Sequence, residues 1–231
     1  MQFSGFQKLT LLDYPGYIAC TLFVSNCNFR CVFCHNSQLV NDCSQEHYDE
    51  QEILQFLSAR KGKLDGVCIS GGEPLLKRDI VDFIKKVKEL GFLVKIDTNG
   101  SNFETLEYII KNRLCDYVAM DIKNSLQKYN KTCDVSVDLQ AVQNSIRLIM
   151  QSGVDYEFRT TVVNELHESG DFVEIAKLIS GAKAYYLQGF KDSGNVLKKG
   201  LTEPTAQKMQ EFLSVVKGAG IKNAFLRGIE G

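Results

Sequence analysis

The chain has 231 residues, of which 44% are hydrophobic and 24% charged, with a formal net charge of −1 at pH 7. This apolar content is enough for one substantial core, and the balanced charge excludes the strongly basic surface of a nucleic-acid-binding protein. No stretch approaches the roughly 20 apolar residues that a membrane-spanning helix needs, so we expect neither a nucleic-acid nor a membrane partner.

The first ten residues, MQFSGFQKLT, contain neither a basic segment nor a long apolar segment. The sequence therefore predicts no secretory signal and a cytoplasmic location. In a reducing cytosol, clustered cysteines are expected as metal ligands or catalytic groups rather than as disulfides. The eight cysteines of this chain are interpreted in that way.

Apolar, β-branched runs alternate with segments of helical period along nearly the whole chain. Amphipathic spacing predicts helices over 77–90 and 138–152, and further helical faces over 172–179 and 209–216. Strands that alternate with helices imply parallel pairing through right-handed crossovers. The predicted strands are 17–25, 65–70, 92–98, 116–122, 155–163 and 182–190, with a seventh candidate at 223–228.

Six or seven strands are fewer than the eight of a closed barrel, so the predicted fold class is α/β, a partial (β/α)6-type TIM-like barrel with parallel strands. The sequence contains no internal repeat, low-complexity tract or linker rich in Pro, Gly or Ser. We therefore expect one domain over 1–231, with a short N-terminal extension at about 1–16 and a cysteine loop at 26–36.

Polar residues follow each predicted strand where the strand ends. In parallel α/β folds the active site forms at this edge of the sheet, so the residues are expected to lie together. The candidates in strand order are Cys27, Cys31 and Cys34; Ser70, Gly71, Gly72, Glu73 and Pro74; Asp97, Thr98, Asn99 and Gly100; Asp121 and Lys123; Arg159; and Gln188.

The glycine pair in SGGEP, residues 70–74, has two interpretations. Adjacent glycines permit positive φ and let the backbone approach a ligand without a Cβ in the way. They are also typical of a strand-to-helix turn, with Pro74 at an early helical position. No dinucleotide-binding or phosphate-binding glycine motif is present.

The stretch CNFRCVFCHN, residues 27–36, contains three cysteines and a histidine. The segment Cys31-x-x-Cys34-His35 matches the attachment motif of c-type haem, but the missing export signal disfavours that interpretation. Three cysteines with His35 are also compatible with a zinc site. A third alternative is an iron–sulfur cubane, which usually has four cysteine ligands and here would keep one iron open.

The pattern Cys27-x3-Cys31-x2-Cys34, with Phe33 before the last cysteine, resembles the signature of the radical S-adenosylmethionine (SAM) enzymes, as do the later GGEP and the partial barrel. The segment LLDYPGYIACTLFVSNCNFRCVFCHN, residues 11–36, resembles the N-terminal block of glycyl-radical enzyme activases, with DTNG and MDIK following in order. The opening GFQKLTLLDYPG is most similar to the activating proteins of anaerobic ribonucleoside-triphosphate reductases.

The resemblance implies an oxidoreductase with one [4Fe–4S] cluster whose open iron binds SAM. Reductive cleavage of SAM would give a 5′-deoxyadenosyl radical that takes a hydrogen atom from a backbone glycine of a partner enzyme. The implied cluster ligands are Cys27, Cys31 and Cys34. The implied SAM contacts are Phe33, Gly71, Gly72, Glu73, Asp97, Thr98, Lys123, Arg159 and Gln188.

Further assignments also follow only from the resemblance. Asp97, Thr98 and Asp121 are similar to positions that hold a monovalent cation in some activases, although aspartates at strand ends also cap helices. Asp13 resembles a position near the bound glycyl peptide, with an Asp-x-Pro-Gly turn as the alternative. Gln188 stands where a related activase has a histidine, which weakens the case for its contact with the nucleoside.

Between Cys34 and Gly71 the sequence has no ferredoxin-like insertion, so we expect the electron to come from an external flavodoxin or ferredoxin. The expected partner is a glycyl-radical enzyme, namely anaerobic ribonucleotide reductase. The alternatives are a radical SAM enzyme that acts on another glycyl-radical enzyme, a small molecule or a peptide side chain, and a zinc-binding interaction module without catalysis.

Overall fold

A computed structural model of the chain describes residues 1–41, 47–192 and 194–228. Cys43, which the sequence leaves without a neighbouring ligand, lies outside the described residues. The strands are β1 (Gln2–Phe3), β2 (Gly5–Thr10), β3 (Ala19–Val24), β4 (Tyr48–Asp49), β5 (Gly66–Gly71), β6 (Leu93–Thr98), β7 (Tyr117–Asp121), β8 (Asp155–Val162), β9 (Tyr185–Gly189) and β10 (Ala224–Arg227). The helices are α1 (Ser37–Val40), α2 (Glu50–Ala59), α3 (Ile80–Glu89), α4 (Phe103–Lys111), α5 (Tyr129–Cys133), α6 (Leu139–Gln151), α7 (Ser169–Leu178) and α8 (Ala206–Gly218).

The main sheet has the strand order β10-β9-β8-β7-β6-β5-β3-β2. The strands from β3 to β10 in this sheet are parallel, and β2 pairs antiparallel with β3 at one edge. Each of the seven predicted strands is therefore confirmed, including the candidate at 223–228. The two edges do not pair with each other, so the α/β class is confirmed as a mostly parallel, open sheet that is compatible with a partial barrel.

Apolar helix faces cover the outer side of the sheet. Helix α3 shows the principle, because Phe83, Ile84 and Val87 recur at helical spacing and are fully buried. Burying one such side chain contributes about 1.5–3 kcal/mol relative to exposure. Asp138 caps the N-terminus of helix α6, because its carboxylate accepts hydrogen bonds from the N–H groups of Gln140 and Ala141. Helices α2 and α4 were not predicted from the sequence.

Alternate strand positions place charged side chains on the inner side of the sheet. In β6, Val94 and Ile96 are fully buried in the apolar core, while Lys95 and Asp97 share the opposite face because side chains alternate along a strand. The inner face of the sheet therefore carries charged side chains close to the carboxyl ends of the strands.

The N-terminal region adds structure that the sequence did not predict. Within residues 1–16, expected as a short extension, β2 pairs with β3 at the edge of the main sheet and β1 pairs with β4. Tyr14, which follows β2, is buried and stacks edge-on with Tyr17 at a centroid distance of 5.0 Å. Among the described residues, no helix has the length and apolar character needed to cross a membrane.

Candidate active site

A cleft of about 290 Å³ opens at the carboxyl ends of the parallel strands. Of the fourteen site residues expected from the sequence, only Glu73 is not part of its lining. Residues from the loop after β3 and from the carboxyl-terminal parts of β5 to β9 thus meet in one place, as the parallel topology requires. The expected residues that line the cleft are Asp13, Cys27, Cys31, Phe33, Cys34, Gly71, Gly72, Asp97, Thr98, Asp121, Lys123, Arg159 and Gln188.

The cysteine loop is held in place by backbone contacts with two distant segments. The N–H of Arg30 donates to the carbonyl of Cys133 at 2.9 Å, which joins the loop to helix α5. The N–H of Lys198 donates to the carbonyl of Val32 at 3.0 Å. The Arg30 guanidinium also donates to the carbonyls of Cys27 and Phe29. The loop conformation is therefore fixed by the surrounding protein.

The three thiols of the loop have different environments. The Cys27 sulfur accepts from the N–H of Phe29 at 3.4 Å and from Asn99 Nδ2 at 3.8 Å. Burial raises the pKa of Cys27 to about 11. The neighbouring Cys133 thiol and the charge of Lys123 lower the pKa of Cys31 despite its burial. Since the thiolate is the form that binds metal, donors and a cation beside the thiols suit a metal-binding loop.

The described residues contain no set of three His, Cys, Asp or Glu side chains that could surround a single metal ion. Zinc requires such a set, because its bonds to sulfur are only about 2.3 Å long. In an iron–sulfur cubane each thiolate binds a different iron, so the ligands do not have to converge on one point.

The glycine pair approaches the protein's own backbone as well as the cleft. Gly71 has φ +116°, and a Cβ there would lie 2.4 Å from the carbonyl oxygen of Val24. A Cβ on Gly72 would lie 2.2 Å from the carbonyl oxygen of Asn26. The sequence suggested that the missing side chains of these glycines let the backbone approach a ligand. In the structure they also let it pack against the residues that precede the cysteine loop.

Glu73, which the resemblance places beside the cofactor, has a buried side chain that is not part of the cleft lining. Its carboxylate is 1% exposed and accepts hydrogen bonds from Thr98 Oγ1 at 2.8 Å and from the N–H of Asn99 at 2.6 Å. A third bond comes from the N–H of Leu75 at 3.2 Å. Burial raises the pKa of Glu73 to about 7, although these donors oppose the shift. Glu73 therefore joins the loops after β5 and β6.

Arg159 joins the aspartates at the ends of β6 and β7. Its Nε atom donates to Oδ1 of Asp121 at 2.8 Å, and its Nη1 atom lies 3.4 Å from Oδ2 of Asp97. Lys123 Nζ donates to Oδ2 of Asp121 at 2.9 Å. Burial opposes ionisation, but the charges of Arg159 and Lys123 outweigh it and hold the pKa of Asp121 well below its usual range.

A second layer of charge lies beneath the cleft and was missed by the sequence analysis. Lys95 is almost fully buried and donates through Nζ to Oδ1 of Asp97. Glu157, also buried, accepts two hydrogen bonds from Arg227 at 2.8 and 2.9 Å. A lysine two positions before Asp97 in an apolar strand was the only local signal, because both side chains then share one face.

Two further residues hold segments of the cleft in place. Asp13 accepts a hydrogen bond from Thr21 Oγ1 at 2.5 Å, and the turn expected after it is present, with the N–H of Tyr17 donating to the carbonyl of Tyr14 at 3.1 Å. His167 was left without a role by the sequence. Its buried Nε2 lies 3.0 Å from the carbonyl oxygen of Lys123 and anchors the loop after β7.

An open parallel sheet, three cysteines on one loop and a cation-rich cleft at the strand ends define an enzyme of the iron–sulfur, partial-barrel class. The model of the radical SAM superfamily matches residues 21–179. The chain belongs to the radical SAM superfamily. Membership implies a [4Fe–4S] cluster and SAM as cofactors, and the donor-lined cysteine loop fits that cluster. The c-type haem and zinc interpretations thereby lose their support.

Two curated relatives narrow the comparison. A Methanocaldococcus jannaschii protein named for glycyl-radical enzyme activation is 34% identical, over 99% of this chain and 96% of its own length. The pyruvate formate-lyase-activating enzyme of Clostridium pasteurianum is 28% identical over 77% of this chain and 75% of its own length. The chain therefore has homologues among glycyl-radical enzyme activating enzymes.

Solved structures agree with the fold. A radical SAM methyltransferase from Sphaerobacter thermophilus matches with a TM-score of 0.72 at 14% identity, over 95% of this chain and 68% of that one. A domain of a pyruvate-formate lyase-activating enzyme from Bacteroides vulgatus matches with a TM-score of 0.59 at 20% identity, over 71% of this chain and 99% of that one. At these identities the likeness concerns the fold alone.

Proposed function

We propose that this protein is a radical SAM activase that takes a hydrogen atom from a backbone glycine of anaerobic ribonucleoside-triphosphate reductase. The observation that carries the proposal is the single cleft in which the three cysteines, the glycine pair and the Asp97–Arg159–Asp121 group meet. The full-length similarity to a protein named for glycyl-radical enzyme activation supports it.

The residues of the cleft suit the two cofactors. When bound, the cluster and SAM together supply a low-potential electron and a carbon radical able to take hydrogen from an unactivated position. Cys27, Cys31 and Cys34 would ligate the cluster. The loop of Gly71 and Gly72 would accept from the ammonium group of SAM, while Lys123 and Arg159 would donate to its carboxylate or ribose.

Aromatic and polar groups would orient the rest of SAM. Phe33 lies in the cleft wall, 6.0 Å from Lys123 Nζ to the ring centre, and would cover one side of the bound cofactor. Thr98 and Gln188 lie on the same lining. Gln188 would replace, through its amide, the histidine of the related activase. The protein thus binds and orients the cofactor and limits water around it.

A protein substrate is supported by the surface beside Asp13. Leu11 and Leu12, which directly precede Asp13, are 68% and 89% exposed. Adjacent exposed leucines are unusual on a free surface and are typical of a contact with another protein. Because Asp13 lines the cleft, a polypeptide held on these leucines would have a short path to the cofactor. We define Leu11 and Leu12 as the leucine pair.

The electron would come from an external flavodoxin or ferredoxin, in the cytoplasm. The other cysteines of the described residues are spread along the sequence and are not grouped in a second cysteine loop. They are Cys20, Cys68, Cys115 and Cys133, and all four are buried. The monovalent cation beside Asp97, Thr98 and Asp121 is considered separately below.

A second candidate function is radical chemistry on a small molecule. It is favoured by the similarity to the 7-carboxy-7-deazaguanine synthase of Thermoplasma acidophilum, which is 28% identical over 69% of this chain and 74% of its own length. This candidate predicts that SAM cleavage occurs fully without a protein partner and that the leucine pair has no role in the reaction.

The test is an anaerobic electron paramagnetic resonance experiment. Protein with a reconstituted, reduced cluster is mixed with SAM and the anaerobic ribonucleotide reductase of the same organism. The proposal predicts a glycyl-radical doublet that requires all three components. Formation of 5′-deoxyadenosine without a doublet would contradict this partner and support the small-molecule candidate. Neither product from an intact, reduced cluster would contradict the activase function itself.

A further inference from the structure

The aspartates at the ends of β6 and β7 already have cationic partners supplied by the chain. Asp97 Oδ1 accepts from Lys95, and Asp97 Oδ2 accepts from Ser70 Oγ at 3.0 Å. The two oxygens of Asp121 accept from Arg159 and Lys123. Each of the four carboxylate oxygens therefore has a donor, and three of the donor side chains are cationic, so an alkali cation would lie among charges that already balance the two aspartates.

Thr98, the third residue of the expected cation site, is also engaged. Its hydroxyl donates to Glu73 Oε1 at 2.8 Å and accepts from the N–H of Gly100 at 3.0 Å. Both partners lie in the loops that surround the strand end, and Glu73 is buried outside the cleft lining. The residues present therefore do not fit a sodium or potassium site.

The balance of charges around Asp97 and Asp121 also argues against a bound sodium or potassium ion. Asp97 and Asp121 carry two negative charges, and three cations lie within 3.4 Å of them. The nearby carboxylate of Glu157 is matched by Arg227. One positive charge thus remains for an incoming anion such as the carboxylate of an amino acid. Two bare aspartates would instead repel that anion in a low-dielectric cleft. The three cations are Lys95, Lys123 and Arg159.

Lys95 is the cation to which the proposed SAM site assigns no role. Its side chain is 2% exposed and lies below Asp97, away from the cleft lining. Its Nζ atom also lies 3.7 Å from the Cys68 sulfur and 6.0 Å from the ring centre of Tyr117. A lysine is rarely this buried unless its charge is paired, and here Asp97 pairs with it.

We propose that Lys95 serves as a fixed counterion in place of a monovalent metal cation, so that SAM binding by this protein is independent of sodium and potassium. Lys95 is a positioning residue in this scheme, because it acts on SAM through Asp97 and Arg159. The inference rests on the SAM site of the proposed function, and it concerns how the negative charge of that site is balanced.

The first test compares salts. The affinity of the reconstituted protein for SAM is measured by anaerobic calorimetry in potassium, sodium and choline chloride at equal ionic strength. We expect the three dissociation constants to agree within about twofold, a small difference in binding free energy. Binding about tenfold tighter in potassium or sodium than in choline would overturn the inference.

The second test converts the fixed charge into a site for a metal cation. Lys95→Met keeps a chain of similar length but removes the charge. In choline, it is expected to bind SAM at least about tenfold more weakly, with recovery on adding potassium or sodium. Lys111→Met, which changes an exposed lysine, is the matched control and should bind as the wild type does. Weaker binding without recovery would contradict the counterion role.

A third readout needs neither cluster nor SAM. Sodium-23 line broadening in the cluster-free protein reports bound sodium directly. We expect specific broadening in Lys95→Met and none in the wild type. Broadening in the wild type that Asp121→Asn abolishes would overturn the inference. If SAM does not bind in any of the three salts, the proposed SAM site is wrong. The sodium measurement would still show whether Lys95 takes the place of a metal cation.

Discussion

The N–H of Glu73 donates to the carbonyl of Asn26 at 2.9 Å. Asn26 directly precedes Cys27. Its carbonyl oxygen also lies close to Gly72, where an added Cβ would be only 2.2 Å away. The loop after β5 and the cysteine loop after β3 are therefore one unit, although more than 40 residues separate them in the chain. The loop that would contact SAM and the loop that would hold the cluster are thus coupled mechanically.

Replacing Gly72 with alanine is expected to disturb both loops. The new Cβ would lie 2.2 Å from the Asn26 carbonyl oxygen, so the backbone must move. We expect a destabilisation of about 1–3 kcal/mol and reduced iron incorporation. The measurements are thermal unfolding and iron content after reconstitution. Gly170→Ala is the matched control, because nothing lies within 4 Å of its added Cβ. Full iron content in Gly72→Ala would contradict the coupling.

Each cysteine of the loop is expected to be required for the cluster. Cys27→Ala, Cys31→Ala and Cys34→Ala should each lose stable iron and sulfide, because a cubane held by two protein thiolates is easily lost. The assay is iron and sulfide analysis of protein purified without oxygen. Cys115→Ala, a buried cysteine outside the cleft lining, serves as the control. A full complement in any of the first three variants would remove that residue from the ligand set.

Arg159→Lys is expected to weaken SAM binding by about tenfold, or about 1.4 kcal/mol. The planar guanidinium reaches both Asp97 and Asp121, whereas one ammonium group cannot replace that geometry. Calorimetry on the reconstituted protein gives the affinity. Arg147→Lys, in which an exposed arginine is changed, should bind normally. Equal affinities for the two variants would show that the bridge has no role in binding.

Glu73 is expected to make the protein less stable as the pH rises. Its pKa is raised from 4.5 to about 7 in the folded state, so between these values the folded protein binds more protons than the unfolded chain. The free energy of unfolding therefore falls across this window, by about 3 kcal/mol at most. His167, whose pKa burial lowers from its ordinary value of 6.5, contributes a slope of the opposite sign below that pH.

The contribution of Glu73 is obtained as a difference. Thermal unfolding of the cluster-free wild type and of Glu73→Gln is compared from pH 5 to pH 8. As the pH rises, the unfolding temperature of Glu73→Gln should increase relative to that of the wild type, since glutamine cannot ionise. Because His167 is present in both proteins, its slope cancels. A gap that does not change with pH would contradict the raised pKa.

The leucine pair is expected to matter only for the protein substrate. Changing Leu11 and Leu12 to serine removes exposed apolar surface and leaves the cleft lining unchanged. We expect the glycyl-radical doublet to fall about tenfold while SAM affinity remains that of the wild type. Leu76→Ser and Leu197→Ser, at other exposed leucines, are the controls. An unchanged doublet would show that the leucine pair does not contribute to binding of the partner enzyme.

Much of the fold could be predicted from the sequence because its signals are local. The runs that became β3 and β5–β10 are apolar and β-branched over six to nine residues, and their period is visible without any partner. Helices α2 and α4 were missed. Strand β2 was missed as well, since it is an edge strand with three consecutive exposed residues, and only pairing with β3 gives it its structure.

The sequence by itself determined which polar residues follow each strand, and therefore which residues meet at the cleft. The tertiary structure decided what those residues face. Glu73 points into the protein because Thr98 and Asn99 supply its donors. Cys133 lies beside Cys31, and Lys95 lies beneath Asp97. The physical reason is that strand period is a property of neighbouring residues, whereas the partner of a buried charge depends on the register between segments far apart in the chain.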